Sequence, residues 1–276
     1  MWPQTIKADG VTIDLTKTQT HGAFTYCKGS DGAWYVQQAE YAHSTGYQYS
    51  DNTEAGQGGA NVKWFKVEPI KWRVLTDSYS GKKLLLAESI LVGGVPYYIN
   101  DSDNRTIAGS EVKPANYKYS TIRAWLNGSY ESGDTQPMTY SGTGFLQSAF
   151  TGSQIAAIPA VNIDNSEGGS PCDGTNDKVF LLSKTELINN GYGFGTNPAP
   201  TVSDSTRQRA ATDFALATGV SYEYVDYIAC TGSSWWIRTS VSGASVSSVV
   251  ANGSPGWENY VNVEYNGVVP ALCVNP

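Results

Sequence analysis

The last 50 residues of the chain contain no pattern typical of a helix, and this absence constrains the fold more than any other feature. They consist of short, β-prone pieces separated by Gly, Ser and Asn. Of the 42 residues from Trp235 to Pro276, only Arg238, Glu258 and Glu264 are charged. Because β-branched and aromatic residues favour strands while Gly and Asn favour turns, we predict short strands joined by polar turns.

The first part of the chain also carries strand patterns. Val11–Leu15 and Ala33–Val36 alternate as strands do, and Asp51–Ala60 is a loop by composition. Ile70–Leu75 alternates as well, and Lys83–Ile90 is an apolar run that follows a Ser-Tyr-Ser-Gly turn. Because a short turn separates these last two segments, we predict that they form a hairpin.

Helix patterns are few and short. The predicted helices are Ser120–Leu126 with Ser120 as N-cap, Phe145–Phe150, the segment opened by a Ser183–Glu186 capping box and stopped at Gly191, and Thr206–Thr218. A few short helices among mostly antiparallel strands predict an α+β fold. We expect one domain over residues 1–276, in which 1–61 supplies N-terminal strands and loops.

Composition excludes several classes of protein. With 18 basic and 25 acidic residues the chain has a net charge of -7, which argues against nucleic acid as a partner, because phosphate binding needs a basic surface. The chain has no stretch of about 20 apolar residues, so we expect no membrane span. The N-terminus lacks the basic and apolar regions of a signal peptide. Four cysteines, at positions 27, 172, 230 and 273, allow three full disulfide pairings, and the sequence does not choose among them.

An enzyme would need a catalytic constellation, and none is apparent. The only histidines are His21 and His43, and no Gly-x-Ser-x-Gly motif occurs. The spacing of carboxylates in sequence cannot show a glycosidase pair. The oxygen-rich run Asp101–Asn104 could be a calcium loop, but it lacks the glycine and distal glutamate of an EF-hand, so a solvated turn is the preferred interpretation. We predict a protein that is not an enzyme and that needs no cofactor or metal.

The order of several motifs resembles that of a known group of proteins. The motifs are Glu68–Leu75 (EPIKWRVL), Ser120–Asn127 (STIRAWLN), Phe145–Ile158, Val179–Leu187, Trp235–Arg238 (WWIR) and Gly267–Leu272 (GVVPAL). Together they are similar to bacterial domains with the C-type lectin fold of the formylglycine-generating-enzyme kind. Within these, the chain resembles the variable proteins of diversity-generating retroelements, over Val62–Pro276. Val269 departs from the pattern, because the family usually has Arg there.

This resemblance implies a ligand-binding protein whose residues 235–276 form a variable region. A reverse transcriptase rewrites that region at template adenines, while the lectin-like scaffold holds the backbone. If the template uses Asn codons ending in C or T, two substituted adenines can give Ser, Gly, Val, Ala, Pro, Tyr, Thr, Asp or Asn, but not Trp, Glu, Lys, Gln or Met. The candidates compatible with such codons are Val241, Ser242, Ala244, Val246, Ser248, Ser254, Pro255, Asn259, Tyr260, Asn262 and Tyr265.

Further candidates follow from residue type. Trp257 is not a product of such codons and is either an invariant aromatic wall of the ligand site or a residue that covers a turn. Small residues alternate along Val241–Ser248, so one face of an extended segment would present them. The scaffold candidates are Trp235, Trp236, Arg238, Gly267, Val268, Pro270 and Leu272. We expect Arg238 to stack on an indole ring and to donate to loop carbonyls.

The implied setting is the cell surface. Proteins of this group resemble surface-displayed lipoproteins, whose signal and lipid anchor would be missing from this chain. We expect a monomer that binds a protein or another surface macromolecule. Two alternatives stay open: a domain of the same fold with a fixed surface, and an oxidase of the formylglycine-generating type that would use Cys230 and Cys273.

Overall fold

A computed structural model describes residues 1–134, 140, 142–199, 201–221, 224–225, 228–229 and 232–276, with backbone alone for 224–225 and 228–229. Strands account for 35% of the chain and helices for 13%. The ladders between the strands named below are all antiparallel. The prediction of an α+β fold is therefore confirmed.

The elements form three main sheets. The strands are β1 (Trp2–Ile6), β2 (Ile13–His21), β3 (Phe24–Gly29), β4 (Trp34–Ala39), β5 (Val62–Glu68), β6 (Trp72–Tyr79), β7 (Lys82–Ala87), β8 (Arg105–Ile107), β9 (Ser110–Val112), β10 (Val161–Ile163), β11 (Thr175–Asp177), β12 (Val179–Phe180), β13 (Tyr224–Val225), β14 (Ile228–Ala229), β15 (Trp235–Ser240), β16 (Ser245–Val249), β17 (Pro255–Tyr260) and β18 (Ala271–Val274). The helices are α1 (Thr121–Asn127), α2 (Phe145–Ala149), α3 (Gly152–Ala157), α4 (Lys184–Leu187) and α5 (Asp213–Ala217). The sheet orders are β1-β5-β4-β3-β2, β12-β18-β7-β6 and β15-β16-β17, and β8-β9, β10-β11 and β13-β14 pair separately.

The predicted hairpin is present, formed by β6 and β7. Its strands pair from Trp72 with Ala87 to Tyr79 with Lys82. The two residues between them, Ser80 and Gly81, have φ of 50° and 74°. A two-residue loop with positive φ at both positions matches the right-handed twist of the strands it joins, so this turn sets the register of the hairpin.

Side-chain caps begin two of the short helices, α1 and α4, where the sequence predicts. The Ser120 hydroxyl accepts a hydrogen bond from the backbone N–H of Arg123 at the start of α1, and Gly128 ends α1 in the left-handed conformation. At α4, Ser183 and Glu186 form the predicted capping box. The predicted stop at Gly191 is wrong, because α4 ends at Leu187 and Gly191 lies in a separate 3-10 turn.

The predicted helix over Thr206–Thr218 is mostly wrong. Only α5 is helical, and Thr212 caps it by accepting from the N–H of Ala215. Upstream, the Arg207 guanidinium is buried and donates to the carbonyls of Gly253, Leu187 and Gly195. Because these long-range hydrogen bonds hold the segment in an irregular path, they override its helix propensity.

The N-terminal strands share one hydrophobic core with the rest of the chain. The Trp2 ring lies 5.1 Å from that of Phe24 and 5.0 Å from that of Phe145, and the Phe65 and Phe214 rings are 5.5 Å apart. The carboxylate of Asp213 accepts from the backbone N–H of Ile6 at 2.8 Å and from Ser50. These contacts fix the first sheet against α2 and α5.

Candidate ligand-binding surface

The candidate surface is built on the sheet β15-β16-β17. Every residue of β15 and β16 is buried, whereas β17 carries exposed side chains. In the ladder between β16 and β17, Ser245 faces Tyr260, Val246 faces Asn259 and Ser248 faces Trp257. The segment thus combines two buried strands with an outer strand that solvent reaches.

Eight of the predicted contact residues are exposed or partly exposed. We call them the C-terminal face: Val241, Ser242, Ala244, Trp257, Asn259, Tyr260, Asn262 and Tyr265. Alternation along β17 places Trp257 and Asn259 on one side of that strand and Tyr260 on the other. The largest contributions are aromatic, since Tyr260 is 63% and Trp257 49% exposed. Exposed rings offer broad and rigid contact area at a low cost in side-chain entropy.

The other four predicted contact residues are buried, and the structure corrects the prediction for them. Val246, Ser248 and Ser254 are fully buried, and Pro255 is buried too. Val246 and Ser248 lie on β16, the central strand of its sheet, and every residue of β16 is buried, so both faces of this strand are covered. The expected row of small side chains along Val241–Ser248 is therefore not presented to solvent over β16.

Hydrogen bonds hold part of the face in place. The Asn259 amide donates to the Ser248 hydroxyl at 2.7 Å, and the Tyr265 hydroxyl donates to Asn259 Oδ1 at 3.0 Å. On the opposite side of the strand, the Ser245 hydroxyl donates to the carboxylate of Glu258. Buried serines of β16 thus orient side chains at the surface.

The predicted scaffold residues are buried beneath the face. Trp235 and Trp236 are fully buried, and the Trp236 indole N–H donates to the carbonyl of Val95 at 3.2 Å. Gly267 needs its lack of a side chain, because an added Cβ would lie 2.1 Å from Cγ2 of Ile90. Pro270 is buried as well, and so is Val269, which stands where the resembled family has Arg.

Arg238 lies where the scaffold needs a buried donor, but its partner differs from the expected one. Its guanidinium donates to the carbonyls of Leu181 and Asp164, as expected of a residue that fixes loops. Instead of stacking on an indole, it forms an ion pair with Glu186 at 2.6 Å. Burial lowers the pKa of Arg238, but the charge and hydrogen bond of Glu186 outweigh that effect and raise it.

Of the two thiols that an oxidase would use, only Cys273 lies among the described residues, and it is buried. Cys27, Cys172 and Cys273 are free, and Cys230 lies outside the described residues. Burial, together with Glu186, raises the pKa of the Cys273 thiol to about 11. Because the thiolate is the reactive form of cysteine, this environment disfavours nucleophilic chemistry at Cys273.

The run Asp101–Asn104 is a turn in the structure. The carboxylate of Asp103 accepts from the Tyr98 hydroxyl at 2.6 Å, so it fixes an aromatic side chain. Within the described ranges, no group of three or more His, Cys, Asp or Glu side chains is placed to hold a metal ion. None of the helices in these ranges is long and apolar enough to cross a membrane.

A cleft of about 490 Å³ adjoins the face at Tyr265. Tyr41 and His43 form one wall, Gly93 and Gly94 line it from the loop after β7, and Glu264 lies beside Tyr265. The His43 and Tyr265 rings are 5.1 Å apart. Sequence reasoning missed the N-terminal wall, because Tyr41 and His43 sit in a stretch with no motif.

A family comparison covers the part of the chain that carries this surface. The model of a family described as Domain of unknown function (DUF6273) matches residues 80–276, which is more than two thirds of the chain. The chain belongs to the DUF6273 family. No curated protein and no solved structure matches it.

The residues that line the cleft lie partly inside and partly outside the segment that matches DUF6273. The whole C-terminal face and all predicted scaffold residues lie within the matched residues 80–276. Tyr41, His43 and Gln38, which line the cleft, precede the matched segment. Gln38 of β4 and the segment that follows this strand therefore add a wall that the matched segment alone does not supply.

Proposed function

We propose that this DUF6273 protein binds a macromolecular ligand through the C-terminal face, without catalysing a reaction. The observation that supports this most directly is that one short segment, residues 235–276, carries both fully buried and exposed side chains. Trp235, Trp236 and Val246 are fully buried, whereas Trp257 and Tyr260 are about half exposed or more. Exposed aromatic side chains on a fixed backbone are the usual anchors of protein interfaces.

The second part of the proposal concerns the origin of that surface. We propose a C-type lectin scaffold of the formylglycine-generating-enzyme kind, whose face a retroelement diversifies by substitution at template adenines. The motif order supports it, and is similar to that of the Treponema variable protein TvpA. The burial pattern supports it too, because most of the codon-compatible residues lie at the surface. The same likeness favours display at the cell surface as a lipoprotein.

Sequencing of the 3′ coding segment across many cells of one lineage tests this proposal. We expect substitutions at the codons of exposed residues such as Val241, Tyr260 and Asn262, at positions matching adenines in a nearby near-copy. We expect none at the codons of Val246 and Ser248, where new side chains would disturb the core. An invariant segment with no near-copy and no neighbouring reverse transcriptase gene would refute diversification and leave a binding surface of fixed sequence.

A further inference from the structure

The cleft between the N-terminal wall and Tyr265 has a rigid floor made of backbone. The N–H of Gly93 donates to the Thr218 hydroxyl at 2.8 Å, and the N–H of Gly94 donates to the carbonyl of Glu264 at 2.9 Å. An added Cβ on Gly93 would lie 2.4 Å from the backbone nitrogen of Val220. The loop therefore packs backbone against backbone, and the cleft is formed before any ligand arrives.

The walls of the cleft are aromatic. Tyr41 is 54% exposed, and its ring packs over Gly59, where an added Cβ would lie 2.5 Å from the ring. The Tyr265 ring is fixed by the bond from its hydroxyl to Asn259 and by its contact with His43. Tyr41 and Tyr265 thus both line a space within the size range of small-molecule sites.

The charge at the cleft is negative. Glu264 is exposed at its rim, and among the described residues its carboxylate has neither an ion pair nor a hydrogen bond. No described residue that lines the cleft is Lys or Arg. The single Arg of the C-terminal segment, Arg238, is buried in its pair with Glu186. The two exposed charged side chains of that segment are therefore Glu258 and Glu264.

We infer that this cleft binds a cationic side chain, Arg or Lys, of a protein partner. The faces of aromatic rings attract cations, and a neighbouring carboxylate supplies the counter-charge. A cationic group would enter between Tyr41 and Tyr265 and pair with Glu264. The inference rests on the proposed function in one respect, since it treats the cleft as an extension of the C-terminal face.

A sugar is the main competing occupant, because sugars also stack on aromatic rings. The charges of the protein favour the cation. The Glu264 carboxylate is unpaired among the described residues, no described Lys or Arg lines the cleft, and the whole chain has a net charge of -7. Complementary charge both attracts a partner and selects it. The N-terminal wall lies outside the DUF6273 match, so Tyr41 would make this specificity a property of this chain rather than of the whole family.

Titration of the whole chain with N-acetyl-arginine methylamide, followed by nuclear magnetic resonance, tests the inference. The citrulline analogue is the matched neutral probe, and a methyl glycoside tests sugar binding. We expect the arginine probe to bind about fivefold or more tightly than citrulline, with an affinity that falls as ionic strength rises. Glu264→Gln and Tyr41→Ala should each weaken binding about threefold. Asp9→Asn removes one exposed charge from the turn after β1, away from the cleft, and should leave the affinity unchanged.

Tyr41 is 54% exposed, so the melting temperature of Tyr41→Ala should stay close to that of the parent and show that the variant is folded. Equal binding of arginine and citrulline, no binding of arginine, parental affinity in Glu264→Gln, or saturation by the glycoside alone would each overturn the inference. The titration tests the cleft, whereas gene sequencing tests diversification of the C-terminal face. Either proposal can therefore fail without the other, and the two failures give different results.

Discussion

Replacement of Glu186 by Gln should destabilise the protein far more than loss of an ordinary ion pair. Glu186 Oε2 accepts from Arg238 at 2.6 Å and from the N–H of Ser183 at 2.7 Å, while Oε1 accepts from the Tyr79 hydroxyl at 2.9 Å. The side chains of Arg238 and Glu186 are only 4% and 12% exposed. Gln keeps the shape of Glu but leaves the buried guanidinium without a counter-charge.

The magnitude follows from this burial. Removing one partner of a buried ion pair costs about 3–5 kcal/mol, because the other charge stays in a medium of low polarity. In a chain of this size, each 1 kcal/mol lowers the melting temperature by about 2–4 °C. We therefore expect Glu186→Gln to melt about 6–20 °C below the parent protein. Differential scanning calorimetry measures the difference directly.

The matched control is Glu111→Gln. Glu111 also forms an ion pair, with Lys113 at 2.7 Å, but the two side chains are 59% and 41% exposed. An exposed pair contributes about 1 kcal/mol or less, so this variant should melt no more than about 4 °C below the parent. Equal losses in the two variants would refute the assignment of Arg238 and Glu186 as a buried pair that joins β15 to α4.

Substitutions at Gly267, Ser120 and Cys273 should each change the stability of the protein in a measurable way. Gly267→Ala should lower the free energy of unfolding by about 1–3 kcal/mol, because the new methyl group would overlap Ile90; chemical denaturation measures this. Ser120→Ala should cost about 1 kcal/mol in the same assay through loss of the α1 cap. Folding raises the pKa of the Cys273 thiol from 9.0 to about 11. Between these two pH values the thiol is protonated in the folded protein and ionised in the unfolded chain. Its contribution to stability is therefore present below pH 9 and lost as pH rises to about 11, and Cys273→Ala should flatten this part of the stability profile.

Local chemistry made much of the fold predictable from the sequence. The cap at Ser120 and the capping box at Ser183 depend on residues within one turn, and the Ser80–Gly81 loop carries its own conformational preference. The composition of the C-terminal segment predicts no helix, and its described part folds as strands and turns. Each of these features is decided by neighbours in sequence.

Long-range contacts decided the features that the sequence did not reveal. Arg207 looks like a good helix residue, yet its guanidinium donates to carbonyls of Leu187 at the end of α4, of Gly195 and of Gly253. Val246 and Tyr260 both fit the codon argument, but only their places in the sheet determine that one is buried and the other exposed. Tyr41 reaches the cleft from a position more than 200 residues before Tyr265, and no motif links the two.

If the C-terminal segment is a fixed scaffold that carries variable side chains, its exposed positions accept new side chains and its buried positions do not. The most direct test compares the free energies of unfolding of Val241→Asn and Val246→Asn. The chemical change is the same in both variants, but the side chain of Val241 is 37% exposed and that of Val246 is fully buried. We predict a change within about 0.5 kcal/mol for Val241→Asn, and a loss of about 1–3 kcal/mol or more for Val246→Asn, because a buried amide lacks water and partners. Equal losses at the two positions would contradict the account.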